Sequence, residues 1–125
     1  MGEKLWRNAV KRFKKQKHIT LIHGDSGEVL KNITEQLNEP VLFWLDGHYS
    51  GGITAKAGQD CPILKEIDAI FMYKKLNHIL LIDDARCFDG TNDYPTIEEL
   101  IGYIKNKNEK YVVEIKDDII RCIIE

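Results

Sequence analysis

Apolar and polar positions along this chain follow two periods. Ile19-Thr20-Leu21-Ile22, Val41-Leu42-Phe43-Trp44-Leu45 and the run from His78 to Ile82 are short and almost wholly apolar. Runs of that length read as strands, and without a polar alternation they predict strands buried on both faces, as in a parallel sheet covered by helices. The stretches between them carry the helical period. Leu5, Trp6, Ala9, Val10 and Phe13 form a stripe over residues 3–16. Val29, Leu30, Ile33 and Leu37 form one from about Glu28 to Leu37, and Pro40 resets the chain before the next strand. Pro62 opens a helix to about Lys75 with Ile63, Leu64, Ile67, Ile70 and Phe71 inward, and Pro95 opens another with Ile97, Leu100, Ile101 and Ile104. The tail, Tyr111 to Ile115, Lys116-Asp117, then Asp118 to Ile124, reads as two strands around a turn short enough only for an antiparallel pair. Strand–helix alternation with a closing hairpin predicts one α/β domain over residues 1–125, its sheet mostly parallel with an antiparallel C-terminal hairpin.

Composition narrows the partners. The 125 residues, 43% hydrophobic and 30% charged, suffice for one domain with one core. A net charge of -2 provides no global field for nucleic acid or an anionic membrane. The basic run Lys11-Arg12-Phe13-Lys14-Lys15-Gln16-Lys17 falls largely on the polar face of the first helix and reads as a solvated face. Cys61, Cys87 and Cys122 are odd in number and lack C-x-x-C spacing, which suits free thiols in a reducing compartment. No apolar run approaches the roughly 20 residues that span a bilayer, and no apolar region follows the charged first turn as in a signal peptide. The expected location is the cytoplasm.

Chemistry gathers at two strand ends. In parallel sheets ligands sit outside the carboxyl ends of the strands. There Leu45 runs into Asp46-Gly47-His48, and Ile82 into Asp83-Asp84. On neighbouring strands, about 4.8 Å apart, these carboxylates would share a cation, and hard oxygen ligands suit Mg2+ or Ca2+. The competing reading makes each aspartate a cap for the next helix or turn. His48, two residues past Asp46, carries an imidazole able to take a proton from a hydroxyl near neutral pH. The glycines of the 47–60 loop would let it close over a ligand. Asp25, with Gly24 and Ser26, either reaches the same edge or makes an Asx-turn or cap. His18, His23 and His78 read as structural.

Leu45-Asp46-Gly47-His48-Tyr49 followed by Ile82-Asp83-Asp84 resembles the metal-dependent O-methyltransferases of the macrocin and catechol type. These are S-adenosylmethionine-dependent enzymes on a Rossmann-like, three-layer sheet. The resemblance implies Mg2+ on Asp46, Asp83 and Asp84, and His48 as the base where the macrocin type carries the second Asp of Asp-Gly-Asp. Gly24-Asp25-Ser26 resembles the turn whose Asp binds the cofactor's adenine, so Asp25 and Ser26 are the implied cofactor residues. The C-terminal hairpin resembles strands six and seven of that sheet.

The chain also departs from the pattern. That family opens with a strand and a G-x-G-x-G turn, then a second strand ending in an acidic residue for the ribose. This chain opens with a helix, and no G-x-G occurs in it. The resemblance therefore implies a Rossmann-like domain truncated at its N-terminus. Either the chain is the C-terminal portion of a longer enzyme, or the gap between the 19–22 and 41–45 strands is closed by direct pairing, by a homodimer or by a partner chain. The function implied is metal-assisted methyl transfer to a hydroxyl of a small molecule once the cofactor site is completed. The alternatives are a non-catalytic remnant or assembly module, and a metal-dependent hydrolase with His48 activating water.

Overall fold

A computed structural model describes residues 3–46, 63–73, 76–91 and 93–124. Its elements are α1 (Glu3–Phe13), α2 (Ser26–Glu35), β1 (Leu42–Leu45), α3 (Ile63–Ile70), β2 (Ile79–Ile82), a 3-10 turn (Ala85–Cys87), α4 (Ile97–Lys107), β3 (Tyr111–Lys116) and β4 (Ile119–Ile124). Their boundaries have local causes. The Asp25 carboxylate accepts from the Glu28 N–H and starts α2. Thr96 and Glu99 exchange side-chain and backbone bonds in a capping box that starts α4. Asp117 and Asp118 take positive φ, 54° and 63°, and make the tight turn between β3 and β4. Two positive φ values match the twist of the strands they join, and Asp tolerates them better than most side chains.

The strands lie in the order β1-β2-β4-β3. β1 and β2 are parallel, with Leu42 opposite Ile79 and Leu45 opposite Ile82. β4 runs antiparallel to both β2 and β3, so the predicted hairpin is present with its second strand inside the sheet. The sheet is thus mixed, with one parallel pair, rather than mostly parallel. The reason lies at Ile19–Ile22, which forms no strand and joins no ladder among the described residues, leaving β1 at the edge of the described sheet. A four-residue run becomes a strand only where a ladder takes up its backbone groups. Direct closure of the gap by pairing 19–22 with β1 does not occur.

One face of the sheet carries the core. Phe43, Leu45, Leu80, Ile82, Ile120 and Cys122 are buried against Ile63, Ile67 and Ile70 of α3 and Leu100 and Ile104 of α4. Leu30 and Leu37, on and just after α2, pack at its margin, and the Thr34 hydroxyl donates to the Ala69 carbonyl at 2.9 Å. The opposite face shows Leu42, Trp44, Ile79, Val112 and Ile123 to solvent. Burial of the apolar runs on both faces is therefore corrected: β1 alternates exposed and buried, because α2, α3 and α4 share the core face. On α1, Trp6, Ala9 and Phe13 are half-buried, while Leu5 and Val10 are exposed, as are Lys11, Arg12, Lys14, Lys15 and Lys17. Cys87 and Cys122 form no disulfide among the described residues, and burial pushes the Cys122 thiol up to about 12. Among the described residues no helix is long and apolar enough to cross a membrane.

His78 ties the strand starts together. It is buried; its Nδ1 accepts from the Val41 N–H at 3.0 Å, and its carbonyl accepts from the Tyr111 hydroxyl at 2.6 Å. The ring of Phe43 meets it edge-on at 5.0 Å. Burial lowers its pKa below the ordinary 6.5, since the charged imidazolium would lose hydration there. The unfolded chain then binds the proton more readily, so this contribution to stability is complete above 6.5 and is lost as pH falls through the lower folded value. Urea unfolding of wild type and His78→Gln at stepped pH should show wild type losing stability relative to the variant below about pH 6.5. A constant difference would mean that the imidazole titrates alike in both states.

Candidate functional site

The parallel register between β1 and β2 decides where the aspartates stand. Leu45 and Ile82 are partners, so Asp46 and Asp83 follow side by side. The Asp83 N–H donates to the Leu45 carbonyl at 3.0 Å, which extends the ladder one step to the strand ends. Asp84 then turns into the left-handed region at φ 59°, ψ 52°, and its N–H donates to Asp83 Oδ1 at 2.9 Å. A non-glycine residue held there costs on the order of 1–3 kcal/mol, so the surrounding bonds must hold it. The result is that Asp46, Asp83 and Asp84 each offer an oxygen within 4.8 Å of the others, with Asp46 exposed and the pair half-buried. Carboxylate oxygens gathered in this way could hold a hard divalent cation.

A competing cation stands beside them. Arg86 Nη1 lies 3.2 Å from Asp84 Oδ1 and also donates to Asp118 Oδ2. The Arg86 N–H donates to Asp118 Oδ1 at 2.9 Å, and the Ala85 N–H to the Asp118 carbonyl. The hairpin turn thereby fixes the 3-10 turn that follows Asp84. An ion added to the cluster must share Asp84 with a guanidinium already paired to it.

Asp25 and Ser26 lie at the start of α2, on a cleft of about 530 Å3 that runs beside β1. The Asp25 carboxylate caps the helix and pairs with Lys65 Nζ at 3.1 Å; that bond, then the Glu28 N–H, lowers its pKa. The approach depends on Gly27, where a Cβ would fall 2.7 Å from Lys65 Cε. The cap reading of Asp25 is thus realised, and the residue also borders the cleft. His48 lies outside the described residues.

Two residues of the region escaped the sequence reading. Glu66 lines the cleft, is 6% exposed, and has no hydrogen-bond partner at Oε1 among the described residues. Its signal was legible: with Ile63, Ile67 and Ile70 it shares one helical stripe, where a carboxyl must be buried. Arg86 gave no such signal, because its partner Asp118 is distant in sequence. No protein-family model matches the chain, and no curated protein does.

Burial raises the Glu66 pKa above its ordinary 4.5, against a lowering hydrogen bond from Ser26; the negative charges of Asp25 and Asp46 add to the rise. Here the folded state holds the proton more tightly, so the contribution is complete below 4.5 and is lost as pH rises through the raised value. Glu66→Gln, neutral throughout, should gain stability relative to wild type as pH rises above about 4.5 in urea unfolding. A flat difference would show that Glu66 ionises as readily folded as unfolded.

Proposed function

We propose that this chain is a partial, metal-assisted O-methyltransferase-like domain, its sheet and helices forming part of a Rossmann-like three-layer sandwich. Asp46, Asp83 and Asp84 would hold Mg2+. One observation carries the reading: three carboxylates from two adjacent parallel strand ends converge within ion-sharing distance at the ligand edge of the sheet. A bound Mg2+ would lower the pKa of an acceptor hydroxyl and orient it. His48 is the base on the strength of the motif alone, and the acceptor class is a small-molecule hydroxyl. Asp25 and Ser26 border a cleft beside β1, which supports the adenine end of S-adenosylmethionine. The chain's residues do not fit the rest of that cofactor: no G-x-G turn is available for close backbone approach to its methionine part. The isolated chain therefore does not retain it.

A second reading, an assembly module whose aspartates serve structure, is favoured by the pairing of Arg86 with Asp84 and Asp118 and by the exposed apolar sheet face.

Thermal unfolding with Mg2+ and with S-adenosylmethionine separates the two. A ligand at about 100 times its Kd contributes about 2.7 kcal/mol to the native state. The methyltransferase-like reading expects a higher midpoint with millimolar Mg2+ (roughly 100 times Kd if binding is in the ten-micromolar range) and none with S-adenosylmethionine alone. Asp83→Asn should abolish the Mg2+ shift, and Arg86→Ala should enlarge it by freeing Asp84. An unchanged midpoint in wild type and Arg86→Ala would leave the assembly reading standing.

A further inference from the structure

We propose that Asp118 is a positioning residue for the carboxylate cluster: it gives the Arg86 guanidinium a second seat, to which Arg86 withdraws from Asp84 when a divalent cation is held there. This rests on the metal reading above and concerns how the hairpin turn regulates that site. Its basis is a shared donor. Arg86 Nη1 lies 3.2 Å from Asp84 Oδ1 and also donates to Asp118 Oδ2. One nitrogen thus serves two carboxylates, one just past the end of β2 and one in the turn between β3 and β4.

The two carboxylates hold Arg86 unequally. Asp118 accepts the Arg86 N–H at Oδ1 and the guanidinium at Oδ2, and its carbonyl accepts the Ala85 N–H at 2.9 Å. Asp84 meets Arg86 through the guanidinium alone. The main chain of Asp84 is held without the arginine: its N–H donates to Asp83 Oδ1 and its carbonyl accepts from the Cys87 N–H, both at 2.9 Å. Parting Arg86 from Asp84 therefore releases a side chain and leaves the backbone that carries it in place. The Arg86 side chain is exposed, so its movement disturbs no packing. Asp118 is the anchor and Asp84 the exchangeable partner.

The sign of the effect follows. Without a charged Asp118, Arg86 would keep Asp84 as the remaining carboxylate of the two and compete with a cation at full strength. With Asp118, Arg86 gives up Asp84 and stays paired. Asp118 thus raises the cation affinity of Asp46, Asp83 and Asp84, although it is not one of the three. Simple attraction between Asp118 and the cation predicts the same sign, but acts whether or not Arg86 is there. A role limited to pressing Arg86 against Asp84 predicts the opposite sign.

Mg2+ titrations of the full chain, followed at the Asp83 and Asp84 amide resonances, test this. Asp118→Asn keeps an acceptor at Oδ1 and suits the positive φ of 63°, so the turn is retained while the second seat loses its charge. It should raise the Mg2+ Kd about three- to fivefold, the scale of an exposed ion pair. Asp117→Asn removes the same charge from the same turn, where that carboxylate pairs with Arg121 at 3.5 Å, and should bind as wild type. Arg86→Ala should bind more tightly than wild type, and adding Asp118→Asn to it should change nothing further. In wild type, with no substitution at all, the Arg86 Nε–H resonance should move along the same isotherm as the Asp84 amide. The proposal fails, and the metal reading stands, if Mg2+ binds while that resonance stays fixed. The same holds if Asp118→Asn leaves the Kd unchanged, lowers it, or raises it equally with and without Arg86. Absence of saturable Mg2+ binding in both wild type and Arg86→Ala would overturn the two together.

Discussion

Parallel pairing between β1 and β2, in a register set at one end by His78 and at the other by the Asp83–Leu45 backbone bond, positions the three carboxylates Asp46, Asp83 and Asp84. A shift of one residue would turn Phe43 and Leu45 out of the core and carry Asp46 away from Asp83. The His78 imidazole accepts the Val41 N–H, and the same residue's carbonyl is held by Tyr111 on β3. The far edge of the sheet therefore helps to hold the register of the near one. A buried imidazole used in this way must stay neutral, and the cost of charging it is the source of its lowered pKa.

The single-sided core has consequences at both rims. Helices α2, α3 and α4 cover one face, and the buried isoleucines and leucines there each contribute about 1.5–3 kcal/mol relative to exposure. Leu42, Trp44 and Ile79 on the other face make no such contribution and leave apolar surface in water. An uncovered face and an unpaired edge meet at β1, which makes this strand the place where association would gain most.

Electrostatics at the strand ends is a contest between an ion and an arginine. Three carboxylates repel one another, and a divalent cation or Arg86 relieves that repulsion. Arg86 is placed for it by Asp118, which lies in the hairpin turn and binds both its side chain and its N–H. Exposed ion pairs are individually weak, on the order of 0–1 kcal/mol, so the guanidinium competes with a metal without excluding it. Glu66 presents the opposite case: its carboxyl is buried where apolar neighbours leave one oxygen unanswered, and neutrality is the cheaper state.

Much of this arrangement was legible in the residues. The stripes of α2, α3 and α4, the C-terminal hairpin (its turn at Asp117-Asp118, one residue beyond the Lys116-Asp117 expected) and the convergence of Asp46 with Asp83 and Asp84 follow from periods, prolines and run lengths, which are local and carried by side-chain chemistry. What escaped was whatever depends on a neighbour. Ile19–Ile22 has the composition of a strand yet none of its pairing, because strand identity belongs to the ladder and not to the segment. The apolar runs of β1 and β2 specified hydrophobicity but not how many faces would be covered, since that depends on which helices pack and on which side. The pairing of Arg86 with Asp118 and the orphaned oxygen of Glu66 exist only once distant segments meet. The sequence by itself determined the helical stripes, the closing hairpin and which strand ends carry carboxylates; tertiary packing decided which apolar run joins the sheet, which faces are buried, which edge stays open and which charges find partners.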